Sequence, residues 1–166
     1  MTQEQINSKV EKQEKKTRKM LDKLIPMLFK KNFVKGEWMP ILCSIDYQFT
    51  ALTSSYDIEV KEFNHTLADM HLIGGCGLKE RKYELMQQYH NSLDGNEKLI
   101  YMVLLNDAIV VYDFAKVDKS KFHHFIWKQK KTQLDDDSTI IEVPSFNIPL
   151  DQAKIIKIAK SEYADN

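Results

Sequence analysis

Asp46, Glu59 and Lys61 are the residues of this chain whose types and spacing suit chemistry. Two carboxylates and an ammonium on one polar face form a set that suits metal-assisted hydrolysis. Mg²⁺ takes oxygen ligands and keeps several waters, so one or two carboxylates are enough to hold it. A bound divalent ion can activate water, stabilise charge at phosphorus and stabilise a leaving oxygen, which are the needs of phosphodiester cleavage.

The three residues must share a face for any of this to work. The stretch from Ile45 to Asn64 reads as two strands joined by the polar turn Thr53-Ser54-Ser55. Side chains alternate across a strand. Ile45, Tyr47 and Phe49 form an apolar set against Asp46, Gln48 and Thr50, and Ile58 and Val60 form one against Asp57, Glu59 and Lys61. Asp is disfavoured in strands, and Asp46 stands among apolar and aromatic neighbours. The plain alternative is a solvated hairpin whose Glu-x-Lys is surface charge pairing. Asp57 reads as strand-edge charge.

An Asp on one strand followed on the next by Glu-x-Lys resembles the PD-(D/E)xK nuclease superfamily. Ile45 stands where the motif's name has a proline. The resemblance covers about residues 22–105. It implies an α/β restriction-endonuclease-like core of helix, three-stranded meander, helix and strand, here with extra C-terminal strands and a helix. It also implies roles: Asp46 and Glu59 as carboxylate ligands of Mg²⁺ or Mn²⁺, the Val60 carbonyl as a third ligand, and Lys61 orienting water or stabilising the phosphate. Members often carry an acid on the first helix, for which Asp22 is the candidate, with Glu14 and Glu11 as alternatives. On the helix after the motif, Lys79, Lys82 and Gln87 are candidates for contacts near the scissile phosphate. The implied activity is endonucleolytic, on DNA ahead of RNA, with a homodimer as the implied assembly. The rival is a non-catalytic module on the same fold that binds nucleic acid or protein.

Composition sets bounds on this. The 166 residues suit one domain, 1–166, with 1–19 as a helical or disordered arm. Apolar residues at 43% supply a core, and 24 basic against 24 acidic residues give a formal net charge of zero. Nucleic-acid binders are often basic, so neutrality counts against a nuclease and leaves a local basic face as the requirement. No apolar run approaches the ~20 residues of a membrane span, and the polar start lacks the apolar centre of a signal peptide. A cytoplasmic protein is the expectation. Cys43 and Cys76 form no CxxC pair, so both are expected as reduced, packed thiols.

The remaining elements follow from periodicity. A helix over about 6–31 has an apolar face built on Met20, Leu21, Leu24, Ile25 and Leu28, with a kink or break at Pro26. Gly36 to Pro40 reads as a turn, and 65–77 as a flexible glycine-containing connector. A helix runs over 78–92, closed by turn chemistry at 93–96, and 98–105 with 108–114 form an apolar hairpin. Lys119 to Lys131 interleaves lysines with Phe122, Phe125 and Trp127. Lys119, Lys121, Lys128, Lys130 and Lys131 there suit phosphate contacts, or equally a lysine-blunted strand edge. His123 and His124 are adjacent and do not share a face, which argues against one ion between them. An acidic turn at 134–138, a strand at 139–143 and a closing helix over 150–159 complete the reading.

Overall fold

The computed structural model describes residues 3–29, 33–40, 43, 45–92, 97–130 and 139–162. In chain order the elements are α1 (Gln3–Phe29), β1 (Phe33–Trp38), β2 (Tyr47–Ala51), β3 (Ser54–Glu62), α2 (Leu67–Ile73), β4 (Cys76–Lys79), α3 (Glu80–Asn91), β5 (Glu97–Leu104), β6 (Ala108–Asp113), β7 (His123–Lys130), β8 (Ile140–Ile148) and β9 (Lys154–Lys157). The chain is thus a mixed α/β protein, and it contains the expected order of helix, meander, helix and strand. No helix among the described residues is long and apolar enough to cross a membrane.

Six strands make the main sheet, in the order β1-β2-β3-β5-β6-β9. β3 and β5 pair in parallel and the other neighbours are antiparallel. The parallel pair requires a crossover, and α2, β4 and α3 form it. The apolar run of β5 is explained by burial on both faces. Ile100, Met102 and Leu104 pack on the side of α1, with Leu21, Leu24, Tyr47, Phe49 and Ile58. Leu99, Tyr101 and Val103 pack on the other side, with Met86 of α3 and with Cys76 and Ile148 of the second sheet. That second sheet has the order β4-β8-β7. Two tyrosines tie the sheets together: Tyr101 Oη donates to Gly77 O at 2.7 Å and Tyr112 Oη to Ile148 O at 2.8 Å.

Several local expectations are corrected. α1 runs unbroken through Pro26 to Phe29. Pro26 lies in the last turn, so its missing N–H forfeits one bond near the helix end, and burial of Met20, Leu21, Leu24 and Ile25 outweighs that. Gly36 is part of β1 and not a turn; it is small because the Tyr47 hydroxyl occupies the space a Cβ would take. The connector after β3 contains α2, started by a capping box in which Thr66 Oγ1 accepts from Asp69 N and Asp69 Oδ2 accepts from Thr66 N. Gly74 closes it in the left-handed conformation, with φ of 85°. The closing helix is instead a single 3₁₀ turn, Leu150–Gln152, followed by β9. Ile155 and Ile156 are β-branched and extend the main sheet beside β6, where the period of two overrides the helical reading. The turns expected at 93–96 and 134–138 lie outside the described residues.

Candidate active site

β3 carries the centre of the site. Its parallel pairing with β5 along Ser55 to Glu62 holds it rigidly in the middle of the sheet. Asp46 lies just before β2. Its backbone N–H donates to Ile58 O at 2.9 Å, and its Oδ2 accepts from Val60 N at 2.8 Å. Asp46 is thereby fixed across from Glu59, near enough for its charge to act on the Glu59 carboxyl.

Glu59 is 8% exposed. Lys82 Nζ, from the first turns of α3, lies 2.8 Å from its Oε2. Burial dominates nonetheless: desolvation and then the charge of Asp46 push the Glu59 carboxyl up to about 8, against the opposing pull of Lys82. The Glu59 carboxyl therefore holds its proton near neutral pH despite the lysine beside it.

A cleft of about 210 Å³ opens at Glu59, lined also by Lys61, Lys79, Lys82, Tyr101 and Trp127. Lys61 is exposed. Burial, together with the neighbouring Lys61 charge, lowers the Lys79 ammonium below its usual range. Three lysines therefore ring the cleft of a chain that is neutral as a whole. Asp46 and Val60 border a second recess of about 180 Å³ on the α1 side, shared with Thr17, Arg18, Trp38, Met39 and Pro40. Asp46 and Glu59 thus meet at a wall between two openings.

The other sequence candidates are dispersed. Asp22 is on α1 and exposed, and its Oδ1 accepts from Trp38 Nε1 at 3.0 Å. Gln87 is half-buried on α3 and does not line the cleft. Lys128 is exposed and paired to Glu142 at 3.5 Å. Lys130 ends β7, while Lys131 lies outside the described residues. Alternation along β7 separates the lysines from the aromatics: Trp127 lines the cleft, whereas Lys128 points to the opposite face. His124 Nδ1 lies 2.8 Å from Glu80 Oε1, and His123 faces a different hollow. Asp57, expected as strand-edge charge, is fully buried and bonded to Gln48 and close to His90.

The contribution of Lys82 as the counter-charge of Glu59 was not readable from spacing. Its only sequence signal is its place three residues after Lys79, at the start of a helix. Among the described residues no group of three or more His, Cys, Asp or Glu is arranged to hold an ion. The candidate oxygen donors are thus the carboxylates of Asp46 and Glu59. That chemistry fits Mg²⁺ or Mn²⁺, which take hard oxygen ligands and retain waters, and it does not fit a thiolate or imidazole metal.

No family model matches the chain, and no curated protein matches it. Among solved structures it is similar to a Holliday junction resolvase, Hjc, from the archaeal hyperthermophile Archaeoglobus fulgidus, at 11% identity and a TM-score of 0.46, over 84% of this chain and 95% of that one. A likeness at that score carries no residue role and no activity across.

Proposed function

We propose that this chain is an endonuclease that hydrolyses phosphodiester bonds in nucleic acid, DNA ahead of RNA, with Mg²⁺ or Mn²⁺ held by Asp46, Glu59 and the Val60 carbonyl. The observation that carries this reading is the buried Glu59 carboxyl, set on β3 across from Asp46 and opening onto a cleft ringed by Lys61, Lys79 and Lys82. Such a pair is costly to a fold unless a cation relieves it. When bound, the metal supplies Lewis-acid stabilisation and an activated water.

The chain's own residues do the rest. Asp46 and Glu59 hold the cation side by side, with Asp46 braced on Val60 N. Lys61, exposed at the mouth of the cleft, orients the attacking water or offsets the charge that develops on phosphorus. Lys79 and Lys82 bring phosphate to the same mouth. For Lys82 this requires leaving Glu59 when the cation arrives. Gln87, Lys128, Lys130 and Lys131 are assigned to outlying backbone contacts, and Asp22 to an accessory acidic role. Cutting both strands of a duplex requires two sites, which a homodimer would provide.

One observation favours a second reading. Lys82 already sits 2.8 Å from Glu59, as in a structural ion pair. In that case the fold is a non-catalytic nucleic-acid-binding module. Calorimetric titration of Mn²⁺, with single-turnover cleavage of single-stranded, branched and duplex DNA and RNA, separates the two. The nuclease reading expects wild type to bind Mn²⁺ and cut, and Asp46→Ala and Glu59→Gln to do neither. Absence of Mn²⁺ binding in wild type, or unaltered binding in both variants, ends it.

A further inference from the structure

A hollow of about 440 Å³ lies beside the Glu59 cleft and is not used by the proposed nuclease. Its volume is at the lower end of small-molecule sites, which span about 300–1,000 Å³. Its walls are aromatic and apolar: Phe63 and His65 come from the segment after β3, Phe125 and Trp127 from β7, and Met70 and Ile73 from α2. The ring of Phe63 lies 6.3 Å from that of Trp127, and that of Phe125 6.2 Å from it. Ile73 is 56% exposed and Phe125 38% exposed, so the wall is open to solvent.

Two residues, Gly77 and Trp127, line both the hollow and the cleft. Gly77 keeps the passage open, since a Cβ there would come to 3.3 Å from the Trp127 ring. Lys61 and Lys79 stand on the cleft side of this passage. Among the described residues, the titratable groups that line the hollow are His65 and His123. It also holds Asn147, whose Nδ2 donates to Ile73 O at 2.9 Å and whose buried Oδ1 has no partner among the described residues. A buried acceptor of that kind suits an exocyclic amino group.

We propose that this groove seats an unpaired nucleobase, that of the nucleotide next to the phosphate held by Lys61 and Lys79. The arrangement sets positive charge where a backbone would run and aromatic faces where its base would fall. Stacking on aromatic side chains is tolerant of sequence because every base has a π-face. A base within a duplex is already stacked and paired and cannot enter, so the groove selects nucleic acid with an unpaired nucleotide at the site. This deepens the proposed function and rests on its nucleic-acid substrate.

The test is binding, measured in EDTA so that no metal and no cleavage is involved. Fluorescence anisotropy is read for a labelled oligodeoxynucleotide of mixed adenine and cytosine, about 16 nucleotides long, alone and annealed to its complement, with wild type, Phe125→Ala and Phe125→Tyr. Wild type is expected to prefer the single strand. Phe125→Ala is expected to weaken single-strand binding about tenfold, in line with the loss of one stacking partner, and to leave duplex binding unchanged. Phe125→Tyr keeps the ring and is expected to bind as wild type does. Equal affinities of wild type and Phe125→Ala for the single strand, equal weakening on both substrates, or no preference in wild type would each overturn the groove. The two readings fail separately. Cleavage that persists with no effect of Phe125→Ala ends the groove and leaves the nuclease. A ring-dependent single-strand preference in a protein that never cuts does the reverse.

Discussion

Asp57 and Glu59 are two residues apart on β3, face the same way, and are both buried, at 0% and 8% exposure. Their surroundings differ in kind. Asp57 Oδ1 accepts from Gln48 Nε2 at 2.7 Å, and its Oδ2 lies 3.3 Å from His90 Nδ1. Gln48 Nε2 also lies 3.1 Å from Tyr89 Oη, which closes a local network. Glu59 faces one lysine and another acid, and opens onto a cleft. Burial of a carboxylate is therefore no marker of a site by itself. Asp57 also borders a recess, of about 320 Å³, so what distinguishes Glu59 is burial beside the like charge of Asp46. Asp57 serves the fold, and Glu59 costs the fold.

The largest effect expected falls on the Glu59 side. Lys61→Ala should lower the single-turnover cleavage rate about 100- to 1,000-fold, roughly 3–4 kcal/mol, as for loss of one transition-state electrostatic contact. Mn²⁺ affinity should hardly move, because an ammonium has only donors and ligates no cation. A Lys61→Ala protein that cuts at the wild-type rate would reduce Lys61 to a solvated strand residue.

The mirror experiment is Asp57→Ala. It removes a partner from the half-buried Gln48 amide and His90, at an expected cost of about 1–3 kcal/mol in the urea midpoint analysis. Mn²⁺ binding per folded molecule should remain. Unchanged stability with lost metal binding would invert the comparison and move the site to Asp57.

Dependence on pH sharpens it further. Glu59 has its carboxyl raised from an ordinary 4.5 to about 8. The folded state therefore holds a proton that the unfolded state has released over that window. Its stabilising effect is complete below about pH 4.5 and is lost as pH rises through about 8. Relative to Glu59→Gln, wild type should lose about 4 kcal/mol in urea denaturation between pH 5 and pH 8.5. Saturating Mg²⁺ should erase most of that loss by favouring the charged carboxylate. A pH profile identical in wild type and Glu59→Gln would mean that Glu59 is not strained.

Much of this contrast was legible beforehand, and the rest was hidden for identifiable reasons. Alternation grouped Asp46 with Glu59 and Lys61 on one face, whereas Asp46 borders the α1-side recess and Glu59 and Lys61 the cleft; the apolar runs of β5 and β6 announced their hairpin. The same alternation could not tell Asp57 from Glu59, because their difference is made by α3, whose Lys82, Tyr89 and His90 arrive from about 23 to 33 residues away. α2 was missed although its Thr66-Leu-Ala-Asp69 start is a capping signal, since the glycines that follow drew the reading to a loop. β9 was missed because Lys-Ile-Ile-Lys fits either period at four residues, and only its pairing with β6 decides. The lysines of β7 were read with Trp127 as one surface, though Lys128 and Trp127 occupy opposite faces.

The smallest effect expected is the most discriminating for the role of Lys82. Its ammonium is 2.8 Å from Glu59 and 27% exposed, so it is a partly buried partner with one named acid. If the pair is structural, Lys82→Met removes the counter-charge of a buried acid. The protein should then lose stability near pH 7 whether or not metal is present, by 3 kcal/mol or more in the manner of a broken buried pair. If Lys82 is a placeholder that yields to a cation, the loss should be far smaller, about 1 kcal/mol. Glu59 simply keeps its proton to a higher pH when Lys82, which lowers its carboxyl, is gone. Saturating Mg²⁺ should then restore wild-type stability, and the pH midpoint of Mn²⁺ binding should move upward. Calorimetric Mn²⁺ titrations at several pH values, beside urea curves with and without Mg²⁺, measure both quantities. A large loss that Mg²⁺ does not repair would assign Lys82 and Glu59 to the fold, alongside Asp57, and would leave the cleft without its cation.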